Sequence, residues 1–225
     1  MTLAGAVDVR PTALTEALPA AAVLPGITVA AGFEIGMLLR CARTGSGRYE
    51  HSAAAASTVE FGRAAAAERL VALLGQLGVA ARGDEFAAGV RHRYTVHRVV
   101  CADLDAPLLG RSWVEGYRRL CTPDGYRTPM QVRLRAALAV AAWRAAMLAG
   151  NVRARGGNLA VRVSDSDTAL VLVRAARLLG VPVGLRGSAG RHLVEVVSGN
   201  TLRDLALGSG PAGADPARTG KRLAG

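Results

Sequence analysis

The stretch that decides the fold is Ala136 to Asn151, AALAVAAWRAAMLAGN. Pro129 shortly precedes it and the Gly-Asn pair ends it, so the pattern predicts one helix. Small residues recur every four positions and therefore share one face, at Ala137, Ala141, Ala145 and Ala149. Because Arg144 lies inside it, the stretch is a poor membrane span and a good central core helix.

A second helix of similar character is the expected partner. Glu34-Ile-Gly-Met-Leu-Leu-Arg-Cys-Ala42 has the same mixture of small and apolar residues, and it runs into a Gly/Ser turn at 44–47. Small side chains let two helix backbones approach closely. We therefore expect Gly36 to meet Ala145 or Ala146 where the two helices pack.

The chain is strongly basic, and its basic residues are almost all arginine. It has 225 residues, a net charge of +11 and 28 Lys and Arg residues, of which Lys221 is the only lysine. Such an excess of arginine favours a phosphate-bearing partner.

The cysteines and the N-terminus indicate an intracellular protein. Cys41, Cys101 and Cys121 are far apart and form no CxxC, so the sequence predicts reduced core thiols and neither a zinc site nor a disulfide framework. Pro19 and Pro25 interrupt the apolar N-terminal run, which argues against a signal peptide, and no transmembrane helix is predicted. We expect a cytoplasmic, nucleoid-associated protein with no membrane partner.

Hydrophobic patterns predict helices and strands along both halves. Helices are expected at 28–43, 60–77, 103–111, 136–151, 167–179 and 200–207, and strands at 48–58, 79–86, 91–101, 159–163, 181–186 and 192–197. In the strand at 91–101, alternation places Tyr94, Val96 and Val100 inward and Arg91, Arg93, Thr95 and His97 outward. Pro182 makes the strand at 181–186 an edge strand.

The two halves share one predicted order of elements: helix, strand, helix, two strands, short helix. Leu77-Gly-Val79 matches Leu179-Gly-Val181, and the text at 91–96 matches that at 191–196. The first match is 102 residues apart (179 − 77) and the second 100 (191 − 91). Near-constant spacing favours an internal duplication. Coincidence between Ala-rich segments is the alternative.

Two helix motifs carry a resemblance to a known family. The first is Glu34–Ala42, and the second is Ala141–Gly150, which is followed by Leu159–Val163 and Ala169–Val181. The chain resembles the LAGLIDADG homing endonucleases and, more closely, the WhiA-type regulators of sporulation and cell division. Those regulators have a catalytically degenerate tandem LAGLIDADG domain. The resemblance covers about 31–207, and we expect the helix-turn-helix domain of the regulators to be absent.

The resemblance implies an α+β fold with tandem LAGLIDADG-like repeats related by a pseudo-two-fold axis. Two curved antiparallel sheets would pack on the central paired helices and form a saddle suited to the DNA major groove. The corresponding domains are an N-terminal arm at 1–30, repeat 1 at 31–122, repeat 2 at 123–208 and a disordered basic tail at 209–225.

The chemistry of cleavage is expected to be missing. By the resemblance, active nucleases hold their metal ions with an acidic residue near the end of each motif helix, and the matching positions here are Ala42 and Asn151. Asp165 and Asp167 could bind a cation, but at a helix start they are better explained by capping. His51, His92, His97 and His192 show no metal-ligand spacing. His92 and His192 are assigned to equivalent strand positions, as packing residues or phosphate contacts. We expect no enzyme, no catalytic residue, no metal and no cofactor.

Two functional hypotheses remain open. The first is a non-catalytic protein that binds double-stranded DNA, a transcription regulator or its accessory factor, with contacts from Arg48, Arg91, Arg93, His97, Arg162 and Arg186. The second is a protein-interaction module that partners a transcription regulator and binds no DNA itself. Arginines gathered on one concave sheet face would favour the first, and scattered arginines the second.

Overall fold

The computed structural model describes residues 26–42, 49–51, 56–89, 93–102, 106–122, 128–188, 191–197 and 199–207. The first half contains α1 (Gly26–Ala42), β1 (Tyr49–His51), β2 (Ala56–Phe61), α2 (Ala64–Gln76), β3 (Ala81–Ala88), β4 (Tyr94–Ala102) and α3 (Ala106–Cys121). The second half contains α4 (Pro129–Ala149), β5 (Asn151–Arg155), β6 (Asn158–Val163), α5 (Ser166–Leu178), β7 (Val183–Ser188), β8 (Arg191–Val196) and α6 (Gly199–Leu207). Both halves therefore run helix, two strands, helix, two strands, helix.

Each half forms its own four-stranded antiparallel sheet. The strand orders are β1-β2-β4-β3 and β5-β6-β8-β7, which are the same topology written twice. The α+β class with one antiparallel sheet in each half is thus confirmed. β7 lies at a sheet edge, as Pro182 just before it predicts. No helix in the described part of the chain is long and apolar enough to cross a membrane.

The repeat is visible in the backbone where α2 and α5 end. Gly78 and Gly180 follow these helices with φ values of 75° and 71°, a left-handed conformation that glycine adopts without strain. The next amide closes the same turn in both halves, because Val79 N donates to Leu74 O and Val181 N to Ala176 O, each at 2.9 Å. The match between Leu77-Gly-Val79 and Leu179-Gly-Val181 therefore marks equivalent positions.

The structural equivalence expected from the second match, between 91–96 and 191–196, is wrong. His192 lies opposite Val163, the last residue of β6, whereas the residue opposite Phe61, the last residue of β2, is His97. His97 is therefore the counterpart of His192, and His92, which lies outside the described residues, is not. Strand equivalence is set by pairing register, and a match of letters between two sequences does not reproduce it.

The predicted single strands at the start of each half are wrong. In the first half the expected strand at 48–58 is the pair β1 and β2. In the second half β5 follows α4 directly, where no strand is predicted, and Gly156-Gly157 joins it to β6 with φ values of 57° and 81°. Positive φ at both central residues defines the tight hairpin turn whose twist matches the strands.

Helix boundaries also shift from those predicted. α4 begins seven residues earlier than expected, at Pro129, because Thr128 and Gln131 form a capping box in which each side chain bonds the other's backbone amide. α2 starts at Ala64, since Glu60 and Phe61 belong to β2. α3 runs on to Cys121, well past the predicted end at Arg111.

One hydrophobic core joins the two halves. α1 packs against α4 and α3, and α4 also packs against α5 and α6. Ala145 and Ala146 of α4 are fully buried, as expected of the central helix. The expected role of Gly36 is wrong, however: a Cβ on Gly36 would meet Trp113 of α3 at 3.7 Å and not α4.

The close approach that small residues permit is instead between α1 and α3. A Cβ on Gly116 would overlap the ring of Phe33, and one on Gly32 would lie 2.5 Å from Oγ of Ser112. Phe33 also stacks on Trp113, with ring centroids 5.5 Å apart.

A buried carboxylate ties α1 to its neighbours. Glu34 is 3% exposed and accepts a bidentate pair of hydrogen bonds from Arg69 of α2, at 2.7 and 2.8 Å. Arg144 of α4 donates to the same carboxylate at 3.2 Å and to the carbonyl of Ala206 in α6 at 2.7 Å. Elements of both repeats therefore meet at one charge.

The predicted arm at 1–30 lies outside the described residues except for 26–30, which belong to α1, and the predicted tail at 209–225 lies outside them entirely. The division into domains at 31–122 and 123–208 stays a prediction.

Candidate nucleic-acid interface

The second sheet has one apolar face and one basic face. Along β6, Leu159, Val161 and Val163 are buried in the core, while Arg162 points the other way and is exposed. The pairing register continues this outer face across the sheet. One row runs Asn151, Arg162, Leu193, Arg186, and the next runs Arg153, Ala160, Glu195, Gly184.

Five exposed arginines occupy the outer face of the second sheet: Arg153, Arg155, Arg162, Arg186 and Arg191. Arg186 pairs with Glu195 at 3.0 Å, and Glu195 is the one acidic residue among those described on that face. The other four arginines form no ion pair with any described residue. Their positive charge is therefore available to a ligand.

A groove of about 750 Å³ runs over this face. Its lining includes Arg153, Arg155, Arg162 and Arg186, with Asn151, Asn158 and Glu195 between them. Guanidinium groups bind phosphates with paired N–H donors, and the asparagines add neutral donors and acceptors. The groove is thus chemically suited to a polyanion with further hydrogen-bonding groups.

Two of the six predicted contact residues lie on this face, Arg162 and Arg186. Sequence reasoning missed Arg153, Arg155 and Arg191. The alternation in Asn-Val-Arg-Ala-Arg before a Gly-Gly pair is the signature of a hairpin strand, and it would have revealed β5 and its two arginines.

The predicted outer face of β4 is wrong. Val99 and Cys101 are buried in the core, at 0% and 1% exposure, so the odd-numbered residues of the strand face the helices. His97 belongs to that set and lies 3.8 Å from Glu85, with its side chain 17% exposed. A change of one residue in strand phase moves every side chain to the other face, and His97 is thereby removed from the candidate interface.

Even-numbered residues of β4 form the outer face of the first sheet, and Tyr94 there is half exposed. Val96 is buried but stands apart from the core, opposite Phe86. The remaining predicted contacts are not placed there: Arg93 is exposed just before β4, and Arg48 and Arg91 lie outside the described residues.

The arginines described on the outer face of the first sheet have acidic neighbours. Arg98 donates to Glu60 at 2.8 Å, and its guanidinium lies 4.3 Å from the ring centroid of Phe86. Arg82 lies 3.8 Å from Asp84 in a looser, exposed pair. Glu60 and Asp84 both lie opposite Arg98, so the charges described on β2, β3 and β4 of this face nearly cancel.

The two positions that the family resemblance matches to the metal ligands of the nucleases carry no carboxylate. Ala42 is buried, and Asn151 is exposed at the start of β5. Asp165 acts as the N-cap of α5, accepting from the backbone N and the hydroxyl of Thr168 at 2.8 and 2.7 Å, and Arg40 lies 3.7 Å from it. Capping is therefore the role of Asp165. Among the residues described, no three His, Cys, Asp or Glu side chains come together as a metal site would require.

Comparison with known proteins finds similar structures but no matching sequence. No family model matches the chain, and no curated protein matches it. The N-terminal LAGLIDADG domain of DUF199/WhiA is similar over 80% of this chain and 89% of its own, at 12% identity and a TM-score of 0.49. Full-length DUF199/WhiA from Thermatoga maritima is similar over 81% of this chain, at 10% identity and a TM-score of 0.47, and the chain spans 58% of its length. I-DmoI in complex with DNA and Mn is similar over 80% of this chain and 93% of its own, at 12% identity and a TM-score of 0.44. The structures found are thus of the family that the two helix motifs resemble.

Proposed function

We propose that the protein binds double-stranded DNA through the outer face of its second sheet, without cleaving it, as a transcription regulator or an accessory factor of one. The observation that carries this proposal is the set of arginines on one sheet face that have no acidic partner among the described residues. Their four exposed guanidinium groups are available to neutralise phosphates. Phosphate contacts give affinity with little dependence on sequence.

The size of the face supports a double helix as the ligand. Three inter-strand spacings separate β5 from β7, which is about 14 Å at the usual strand separation. The major groove of B-DNA is about 12 Å wide. Edge-strand arginines such as Arg153 and Arg186 would then lie near the two phosphate walls, with Arg162 over the base edges between them.

The described outer face of the second sheet has no aromatic side chains, which favours duplex over single-stranded nucleic acid. Proteins that bind single strands stack bases on aromatic side chains. The described residues on the outer face of the second sheet include none: between the arginines lie Ala160, Leu193 and Gly184. A duplex keeps its bases stacked internally and needs only the phosphate and groove contacts that arginine supplies.

The proposed absence of cleavage rests on Ala42 and Asn151. Phosphodiester hydrolysis by paired metal ions requires hard oxygen ligands, and Ala42 and Asn151 provide no carboxylate. A purified sample incubated with supercoiled plasmid and Mg²⁺ or Mn²⁺ should leave it intact. Nicking that persists through purification to homogeneity and disappears in an Asn151→Ala variant would refute this part of the proposal.

Binding is tested with a labelled random duplex at several salt concentrations. An Arg153→Gln/Arg155→Gln/Arg162→Gln variant should bind less tightly, and its log–log salt slope should fall by about 0.9 for each phosphate that the variant no longer neutralises. The matched control is Arg133→Gln/Arg174→Gln/Arg203→Gln, which removes the same charge from exposed helix positions. The control should bind like the parent.

Two results would overturn the proposal. If both triple variants weaken equally, net charge alone explains the binding. If the parent shows no binding at low salt, the protein-interaction module is the better account, since the ion-paired first sheet and the half-exposed Tyr94 then remain as its available surface.

A further inference from the structure

The two sheets have the same topology but opposite charge at equivalent positions. Pairing register aligns Phe61 with Val163, because each ends its strand opposite His97 or His192. Counting back along the strands from these anchors aligns the outer-face positions of the two sheets.

At three aligned positions, an acidic residue in the first sheet corresponds to an arginine in the second. Glu60 of β2 corresponds to Arg162 of β6, and Asp84 of β3 corresponds to Arg186 of β7. On the outermost strands, the register position of Glu50, opposite Thr58, corresponds to that of Arg153, opposite Ala160. Three acidic positions in the first sheet are therefore three basic positions in the second.

The remaining charges strengthen the contrast. The basic residues described on the first outer face, Arg98 and Arg82, are paired with Glu60 and Asp84 within that face. A phosphate binding Arg98 would have to displace the Glu60 carboxylate that already pairs with it, and a phosphate near either arginine would be repelled by the adjacent carboxylate. On the second face a phosphate meets four arginines that need no such exchange.

We propose that the duplex is held by the outer face of the second sheet, over a single groove, and that the described outer face of the first sheet contributes no phosphate contact. This inference rests on the proposed DNA binding and specifies which half of the molecule performs it. A face four strands wide covers one groove width, so a duplex of about one helical turn contains the whole site. Two repeats of one fold thus have different tasks: the second binds the polyanion, and the first excludes it from its own sheet.

The test measures the salt slope of binding for matched variants of the two sheets. Arg153→Gln/Arg162→Gln should lower the log–log slope by about 0.9 for each phosphate that is no longer neutralised. Arg82→Gln/Arg98→Gln removes the same charge from the first sheet and should leave the slope of the parent unchanged. Circular dichroism melting verifies that each variant is folded.

A second measurement needs no variant. The parent should show the same salt slope on a random duplex of 12 base pairs and on one of 30 base pairs, because both contain the complete site. A slope larger by two or more on the longer duplex would mean that the first repeat also contacts phosphates, and would overturn the inference.

The outcomes separate this inference from the proposed function. If the parent binds neither duplex at low salt, DNA binding itself fails. If it binds and both double variants show an equally reduced slope, DNA binding stands and one-sided binding is refuted. If the slope falls in the second-sheet variant alone, both are supported.

Discussion

The negative charge of Glu34 compensates two arginines, so removing it should destabilise the protein. The Glu34 side chain is buried, and its carboxylate forms ion pairs with Arg69 and Arg144. The hydrogen bonds from Arg69 to Glu34 raise the pKa of Arg69, so that guanidinium is charged at all ordinary pH values. Without the carboxylate, two arginines of different helices would face each other in a partly buried site.

Glu34→Gln should lower the free energy of unfolding by about 3 kcal/mol, because it leaves partly buried charge uncompensated. The matched control is Glu68→Gln, which makes the same change at an exposed position of α2 and should alter stability by less than about 0.5 kcal/mol. Urea unfolding followed by circular dichroism measures both. Equal stability of the two variants would show that the Glu34 cluster contributes nothing.

Cys41 gives the fold a dependence on alkaline pH. Burial, with a smaller contribution from Asp165, raises the pKa of its thiol from 9.0 to about 12. The unfolded chain releases this proton at lower pH than the folded one. The stabilisation is therefore complete below about pH 9 and is lost as the pH rises toward 12.

Between pH 9 and pH 11 the free energy of unfolding should fall, with a contribution from this thiol of up to about 1.4 kcal/mol per pH unit. A Cys41→Ala variant should show a shallower decline, whatever its absolute stability. Denaturation at a series of pH values supplies the slopes. Identical slopes for parent and variant would contradict the raised pKa of this thiol.

At the scale of elements, glycine determines how closely α1 and α3 can approach. Gly116 faces the ring of Phe33 with no room for a Cβ, whereas Gly110 of the same helix has open space around it. The two glycines therefore offer an internal comparison between a packing requirement and the intrinsic cost of glycine in a helix.

Gly116→Ala should destabilise the protein by about 1–3 kcal/mol, since the added methyl must push Phe33 or the whole helix aside. Gly110→Ala should be neutral or stabilising by up to about 1 kcal/mol, because alanine restricts the unfolded chain and fits the helix. Thermal melts of the two variants would suffice. A stable Gly116→Ala protein would mean that α1 and α3 are not in tight contact.

The hairpin of β5 and β6 shows why some elements are predictable and others are missed. The central helix, α5 and β6 each carry a regular apolar pattern, and the structure has all three. β5 is short and has mostly exposed side chains, so its only signal is local: two alternating arginines and a Gly-Gly turn. Gly150 caps α4 and Asn151 begins β5, and this Gly-Asn pair, typical of a helix end, is enough to obscure that signal.

The whole molecule should unfold as one unit, because the two repeats share a core and a buried charge cluster. Each repeat contains one tryptophan: Trp113 lies in α3, and Trp143 lies in α4 with its indole N–H donating to the carbonyl of Leu172 at 3.1 Å. Fluorescence from either residue therefore reports on its own half.

Single-tryptophan variants, Trp113→Phe and Trp143→Phe, should each show one transition in urea. In each variant the fluorescence midpoint should coincide with that from far-UV circular dichroism, as two-state unfolding requires. If one half melts before the other, fluorescence and circular dichroism midpoints will separate in at least one variant.

Periodicity and composition are enough to specify the central apolar helix, the repetition of one order of elements in both halves and the basic character of the chain, and the resemblance of the two helix motifs implies the α+β class. Which arginines matter depends on the three-dimensional packing. Packing of Val99 and Cys101 against the helices determines which residues of β4 face the core. The observed alternation is offset by one residue from the predicted one, so His97 does not lie on the outer face. Pairing register then sets acids against arginines on the first sheet, and it leaves four described arginines of the second sheet without an ion pair among the described residues. Register is a relation between strands distant in the chain, so no local pattern encodes it.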